Sequence, residues 1–171
     1  VQIIQFAENT RAELRDKLED VLDQDPVALI VDLRNNGGGY LTTAVEVTSE
    51  FLGEGVVLIE EYGDGSQKEF NALSGGLATE IPLVVLVNEG SASASEIMAG
   101  ALQDHQRAQL VGTTTFGKGT VQNWIPLSRG TQGAVRITVA RWLTPNGRQI
   151  HETGLQPDFM VELTEEDIHA D

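Results

Sequence analysis

The chain has 171 residues, which suggests one domain, and at this length folding buries roughly 70% of the unfolded surface without help from disulfides or metals. Acidic residues outnumber basic ones 26 to 11, giving a net charge of −15 that repels nucleic-acid phosphates and anionic membranes. Because the arginines form no basic stripe, this charge excludes nucleic acids as partners. The absence of cysteine excludes disulfides, thiolate catalysis and cysteine-ligated metals, and we expect no cofactor. The longest apolar run, at 81–87, is too short to span a bilayer.

The N-terminal part of the chain alternates strand and helix patterns. Residues 1–6 read as a short strand, and Thr10 with Glu13 has the pattern of a capping box at the start of an amphipathic helix. Pro26 ends that helix, and residues 27–33 form an apolar run suited to a buried parallel strand.

A glycine-rich loop at 35–39 leads into a second amphipathic helix, predicted over 41–52. Residues 56–61 and 67–70 then predict a hairpin around the Gly-Asp-Gly turn at 63–65.

The second half of the chain predicts a third helix between two short strands at 82–87 and 108–112. The apolar face of that helix consists of Ala94, Ile97, Met98, Ala101 and Leu102. Further strands are predicted at 120–127, 134–140 and 142–144, before an Asn146-Gly147 turn. This order predicts an α/β fold, a core of buried strands and helices with an added β-rich C-terminal layer.

The candidate nucleophile lies in the loop between the strand at 82–87 and the third helix. Ser93 occupies a position where backbone N–H groups and the helix dipole favour developing negative charge. A serine here is more often a plain N-cap. The small residues Ala92 and Ala94 beside it leave its hydroxyl accessible to a substrate, which a plain cap does not need.

A nucleophilic serine needs a base, and the histidines are poorly placed to supply one. His151 and His169 lie in the tail region. His105 follows Ser93 on the same helix at a distance of roughly 18 Å, given a rise of 1.5 Å per residue, and reads as a solvated helix-end residue. A Ser–His–Asp triad therefore has weak support.

Lysine is the remaining candidate base. Lys17 and Lys68 read as solvated side chains, whereas Lys118 stands between two glycines after Phe116. A lysine amine is charged at neutral pH and accepts a proton only where apolar surroundings favour its neutral form. Gln122, four residues on, is placed to hold that amine if the strand already begins at Lys118. The plainer alternatives are a surface turn lysine and an exposed strand glutamine.

The loop at 37–39 has a matching function in acyl transfer, which needs two backbone N–H groups aimed at the oxyanion. One can come from Ala94, the residue after the nucleophile, and the other from a loop glycine, where no side chain blocks the approach. A phosphate-binding loop is the rival interpretation, but neither Gly-x-Gly-x-x-Gly nor a Walker pattern is present.

Three segments, at 32–39, 90–97 and 116–122, resemble the carboxyl-terminal processing protease family, also called tail-specific proteases. The spacing of 25 residues from Ser93 to Lys118 and of four more to Gln122 is that of the family, and the tail at 147–158 is similar to its terminal signature. The resemblance covers the chain from residue 1 to about residue 163. It implies a fold similar to that of the Clp-protease and crotonase superfamily.

The resemblance also implies the site of a Ser-Lys serine peptidase, with Ser93 as nucleophile, Lys118 as general base and Gln122 orienting the lysine. It implies an oxyanion hole formed by the N–H groups of Gly39 and Ala94. The expected activity is endopeptidase cleavage of substrate proteins with accessible tails, near their C-termini. The expected location is extracytoplasmic, in a periplasm, a cell envelope or a thylakoid lumen.

One departure concerns domains. Family members usually carry a PDZ domain and an N-terminal region, whereas this chain reads as a single peptidase core over 1–171 and opens without an initiator Met or signal peptide, like a mature protein or a fragment. Two rival functions are a non-catalytic binding module of the same fold and a crotonase-like acyl-thioester enzyme. The presence of both Ser93 and Lys118 argues against each of them.

Overall fold

A computed structural model describes residues 1–127 and 133–162 of the chain. In chain order the elements are α1 (Thr10–Leu22), β1 (Leu29–Asp32), α2 (Leu41–Thr48), β2 (Val56–Tyr62), β3 (Gln67–Asn71), β4 (Leu83–Val87), α3 (Ala94–Asp104), β5 (Gln109–Gly112), β6 (Thr120–Pro126), β7 (Ala134–Leu143) and β8 (Phe159–Met160). They form a mixed α/β fold with two four-stranded sheets. None of the helices in the described part of the chain has the length and apolar character that crossing a membrane requires.

The first sheet is parallel and has the strand order β1-β4-β5-β8. Val31, Val85 and Leu110 lie side by side on its inner face, and each is buried. Since parallel strands end at the same edge of a sheet, the loops after β1 and β4 meet there. This edge carries both the glycine-rich loop and Ser93.

The second sheet is antiparallel and has the order β3-β2-β7-β6. It confirms the predicted β layer, but half of that layer comes from the hairpin β2–β3 in the middle of the chain. The segments predicted at 134–140 and 142–144 are one continuous strand, β7. On the described part of the sheet β6 is an end strand, so one of its edges is free.

The hydrophobic core lies between the helices and the two sheets. Its largest fully buried apolar side chains include Phe6, Leu18, Phe51, Leu58, Met98 and Trp142. Helix α3 is buried from Ala94 to Leu102, which includes all five residues predicted for its apolar face. Truncating a buried Leu or Met to Ala costs about 2–5 kcal/mol, so the buried side chains of α3 hold it firmly in the core. The helix therefore gives Ser93, the residue that precedes it, a fixed position.

Two predictions for the N-terminal part are wrong. Thr10 is not an N-cap but the first helical residue after Asn9, and its hydroxyl accepts the N–H of Ala7 at 2.9 Å and donates to the Gln5 carbonyl at 3.0 Å. A capping box therefore does not form, because the hydroxyl is engaged by the preceding turn. Residues 1–6 are extended, but they pair with the sheet only through isolated bridges such as Gln2 to Asp32.

Burial of the run at 27–33 is also less complete than predicted. Val27, which precedes β1, is 92% exposed, and Ile30 is 55% exposed because burial alternates along β1 and only one of its faces is buried. Helix α2 ends at Thr48 and not at residue 52. There the hydroxyls of Thr48 and Ser49 donate to carbonyls four residues back, at 2.7 and 2.6 Å, a bond that weakens helix continuation.

Candidate active site

Ser93 is the residue before α3, and its backbone has φ 57° and ψ −114°. A residue with a side chain rarely adopts a positive φ, so the surrounding structure must hold this conformation. The bonds that hold it include the Ser93 N–H to the Glu96 carboxylate at 2.8 Å and the Ile97 N–H to the Ser93 carbonyl at 2.9 Å. Strain maintained in this way at a strand-to-helix turn is typical of functional sites.

The two neighbouring serines have structural functions. The hydroxyl of Ser91 donates to the Leu33 carbonyl at 2.8 Å, and that of Ser95 donates to the Asn36 carbonyl at 2.8 Å. Both serines are buried, whereas Ser93 is partly exposed. Among the three, Ser93 alone is open to a substrate.

The glycine-rich loop approaches the start of α3 so closely that no side chain fits between them. A Cβ on Gly38 would lie 2.7 Å from the Ala92 carbonyl oxygen and 2.9 Å from the Ala94 nitrogen. Asn36 anchors the loop; it is fully buried, donates to the Ile3 carbonyl at 2.7 Å and accepts the Gly38 N–H at 2.9 Å. We did not single out Asn36 from the sequence, where it reads as an ordinary turn residue.

Two backbone N–H groups, where the glycine-rich loop meets the start of α3, have no acceptor among the described residues. Within residues 1–127 and 133–162, neither the Gly39 N–H nor the Ala94 N–H donates to a protein acceptor, although the Gly38 and Ser93 N–H groups beside them both do. Ala94 is the first residue of α3, where an N–H has no partner within the helix. These are the two groups that the family resemblance implies as oxyanion donors.

The loop that carries Lys118 is tightly packed on both sides. A Cβ on Gly117 would lie 2.9 Å from the Gly154 nitrogen, and one on Gly119 would lie 2.8 Å from the His151 nitrogen. The indole N–H of Trp142 donates to the Lys118 carbonyl at 2.8 Å. The two glycines are therefore required by close contacts, and the backbone of Lys118 has one defined position.

Ser93, Lys118 and Gln122 line one cavity of about 440 Å³ together with Gly39 and Ala94. Its other lining residues are Tyr40, Leu41, Ile97, Thr120, Val121, Asn123, Arg136 and Trp142. The lining contains no Asp or Glu, and no ion pair to Lys118 is found in the described part of the chain. The structure thus brings all five predicted site residues together.

The details around the lysine differ from the sequence expectation. Phe116 is 65% exposed and does not line the cavity, so other apolar side chains form the walls. Strand β6 begins at Thr120, and its register shifts between Val121 and Gln122. The amide nitrogen of Gln122 donates to the Thr138 hydroxyl at 3.5 Å, and no hydrogen bond to Lys118 is formed among the described contacts.

The histidines occupy different environments. His105 caps the C-terminus of α3, is exposed, and has its Nε2 2.7 Å from the Val56 carbonyl, which agrees with the predicted helix-end position. The backbone of His151 packs against Gly119, next to Lys118, a proximity that its tail position did not suggest. Its side chain is exposed and is absent from the cavity lining. His169 lies outside the described residues.

A larger cavity of about 550 Å³ lies between residues 1–5 and α1. No serine lines it, so it lacks the pairing of a serine with a lysine. No group of three or more His, Asp or Glu side chains that could hold a metal ion occurs within the described ranges.

Comparison with known proteins shows the family to which the chain is related. The model of Peptidase family S41 matches residues 1–161. The carboxy-terminal-processing protease of Bartonella bacilliformis is 44% identical over 167 residues, which cover 95% of this chain and 38% of that protein. The carboxyl-terminal-processing protease of Synechocystis sp. is 44% identical over 162 residues, covering 95% of this chain and 37% of that protein. The chain thus spans well under half the length of these relatives.

Solved structures show the same relationship. The photosystem II D1 C-terminal processing protease superposes with a TM-score of 0.88 at 37% identity, over 94% of this chain and 41% of that one. The tricorn protease, at 18% identity, shares the fold with a TM-score of 0.64 over 99% of this chain and 16% of that one. These likenesses confirm the predicted fold class. From the match over almost its whole length, the chain belongs to peptidase family S41.

Proposed function

We propose that this chain is the catalytic core of a serine endopeptidase that cleaves substrate proteins near their C-termini through an acyl-enzyme. The observation that carries the proposal is the shared cavity, which is lined by a partly exposed serine on a positive-φ backbone, by a lysine and by two residues whose N–H groups have no acceptor within the described residues. A binding module does not need this combination.

The chemistry follows from the placement of these groups. The neutral amine of Lys118 takes the proton of the Ser93 hydroxyl while Oγ attacks the scissile carbonyl carbon. The oxyanion that forms accepts hydrogen bonds from the Gly39 and Ala94 N–H groups, and the dipole of α3 adds to their effect. The lysine ammonium then gives its proton to the leaving amine. Water, activated by the same amine, hydrolyses the ester and frees Ser93.

The composition of the cavity is compatible with lysine as the base. Its lining contains Lys118 and no Asp or Glu, although the chain has 26 acidic residues. Leu41, Ile97 and Trp142 contribute apolar walls. Gln122, in the same cavity, would hold the amine once its amide turns away from Thr138.

The free edge of β6 supports an extended polypeptide as substrate. Residues 120–123 of this end strand line the cavity next to Ser93. An unpaired strand edge offers N–H and C=O groups that an extended chain can match by strand addition. Flexible C-terminal tails supply such chains.

We also propose that the protein acts in an extracytoplasmic compartment, as the family resemblance implies. The hydrophobic core of the described residues supports a single peptidase domain over 1–171.

The experiment is mass spectrometry of the products from an unstructured peptide library incubated with wild type, Ser93→Ala and Ser91→Ala. Cleavage by wild type and Ser91→Ala, but not by Ser93→Ala, is the expected result. Labelling of Ser93 by a serine-reactive phosphonate gives an independent readout. Cleavage that persists in Ser93→Ala, or that Ser91→Ala alone abolishes, would refute the assignment, and binding without any cleavage would favour the non-catalytic module.

A further inference from the structure

A buried carboxylate next to the candidate site has no basic partner. Glu96 is fully buried in the first turn of α3, and no ion pair to it occurs within the described ranges. Burying a charge is costly unless hydrogen bonds satisfy it, so its partners must account for its presence. The sequence offered one signal, the Ser-x-x-Glu spacing from Ser93 to Glu96, which is that of a capping box.

The partners of Glu96 come from both halves of the site. Its Oε2 accepts the N–H of Ser93 at 2.8 Å and the N–H of Lys118 at 3.0 Å. Its Oε1 accepts the hydroxyl of Thr115 at 2.6 Å and the N–H of Gly117 at 2.7 Å. A single oxygen atom therefore joins the backbone of the predicted nucleophile to the backbone of the predicted base.

This arrangement suits a carboxylate and not the amide of a glutamine. Four donors converge on two oxygens, and a carboxylate accepts on both, whereas the amide of glutamine presents one acceptor and two donors. The Thr115 hydroxyl is itself fixed, because it also accepts the Leu155 N–H at 2.8 Å. The four donors are three backbone N–H groups and this hydroxyl, so no flexible side chain among them can compensate for a change at Glu96.

We propose that Glu96 is a positioning residue that sets the separation between Ser93 and Lys118, and so the efficiency of proton transfer between them. The inference rests on the proposed function, since it assigns those two residues as nucleophile and base. Glu96 acts only through their backbones. Its loss therefore lowers the rate of the chemical step and leaves peptide binding almost unchanged.

The test compares Glu96→Gln with Glu50→Gln in the whole chain. Glu50 is a matched control because it is equally buried, but it binds Arg11, Arg15 and the Leu77 N–H, and it does not line the cavity. For Glu96→Gln we expect kcat on a peptide substrate to fall about 100-fold with KM changed less than about threefold. In Glu50→Gln, assayed below its melting temperature, both constants stay near those of wild type.

Amide hydrogen exchange supplies a readout that does not depend on activity. In Glu96→Gln the amides of Ser93, Gly117 and Lys118 should exchange at least about tenfold faster, while those of β4 keep their wild-type rates. Thr115→Val, which removes one donor, should show a smaller loss of kcat, and Thr115→Ser should restore it. This pair keeps the proposal testable if Glu96→Gln does not fold.

Three outcomes would overturn the inference. The first is a folded Glu96→Gln with wild-type kcat and exchange rates, or, if that variant does not fold, Thr115→Val with the kcat of wild type. The second is an equal loss of kcat in Glu50→Gln, which would mean that any buried carboxylate acts through stability. The third is a rise in KM that accounts for the whole effect. Absence of Ser93-dependent cleavage by the wild-type protein would instead refute the proposed function. The amide exchange rates would then decide whether Glu96 joins the Ser93 loop to the Lys118 loop.

Discussion

Replacing Gly38 by alanine should damage both the fold and the candidate site. Gly38 has φ +100°, which costs an L-residue about 1–2 kcal/mol. The new Cβ would lie 2.7 Å from the Ala92 oxygen and 2.9 Å from the Ala94 nitrogen. Relieving these contacts requires a movement of about 0.5–1 Å between loop and helix, and such overpacking costs about 1–3 kcal/mol more. The expected destabilisation is about 2–5 kcal/mol.

The same movement separates the two candidate oxyanion donors, since the Gly39 N–H belongs to the loop and the Ala94 N–H to the start of α3. Since a misplacement of about 1 Å can cost about 100-fold in rate, we expect kcat of the folded variant to fall by that order. Gly37→Ala is the matched control, because a Cβ there meets nothing within 4 Å and its φ is not positive. The measurements are denaturant unfolding and peptide cleavage for both variants. Equal stability and equal kcat in the two would refute the reasoning.

Further predictions concern the catalytic groups and pH. Ser93→Gly should lose cleavage and gain up to about 1 kcal/mol in unfolding free energy, since glycine adopts the φ of 57° without strain. Lys118→Arg should be inactive on the same peptide, because arginine does not release its proton near neutral pH. His151→Ala should cleave the same peptide at a rate near that of wild type, because the His151 side chain does not line the cavity; loss of cleavage would assign the base to His151. The hydrogen bond from Arg34 lowers the pKa of Asp32, so this pair should stabilise the fold above the unfolded pKa and lose its effect as pH falls. For this partly exposed pair we expect less than about 1 kcal/mol, measured as a shallower acid limb of stability in Asp32→Asn.

Local sequence patterns determined most of the elements. The period of apolar residues in α3 and the Gly-Asp-Gly turn between β2 and β3 act over a few residues, so they can be read without knowing the rest of the chain. The incorrect predictions concern residues whose structure is decided by contacts outside the local pattern. The Thr10 hydroxyl bonds to the preceding turn, and Ile30 lies on the exposed face of β1.

The sequence by itself determined the members of the candidate site, since the spacing of Ser93, Lys118 and Gln122 and the glycine loop at 35–39 are local or sequential features. The tertiary structure alone decided what surrounds them. It left the Gly39 and Ala94 N–H groups without an acceptor among the described residues, brought His151 beside the loop that carries Lys118, and joined Ser93 to Lys118 through Glu96. These contacts link residues that are distant along the chain, and their distances depend on how the sheets and α3 pack together, which no local period encodes.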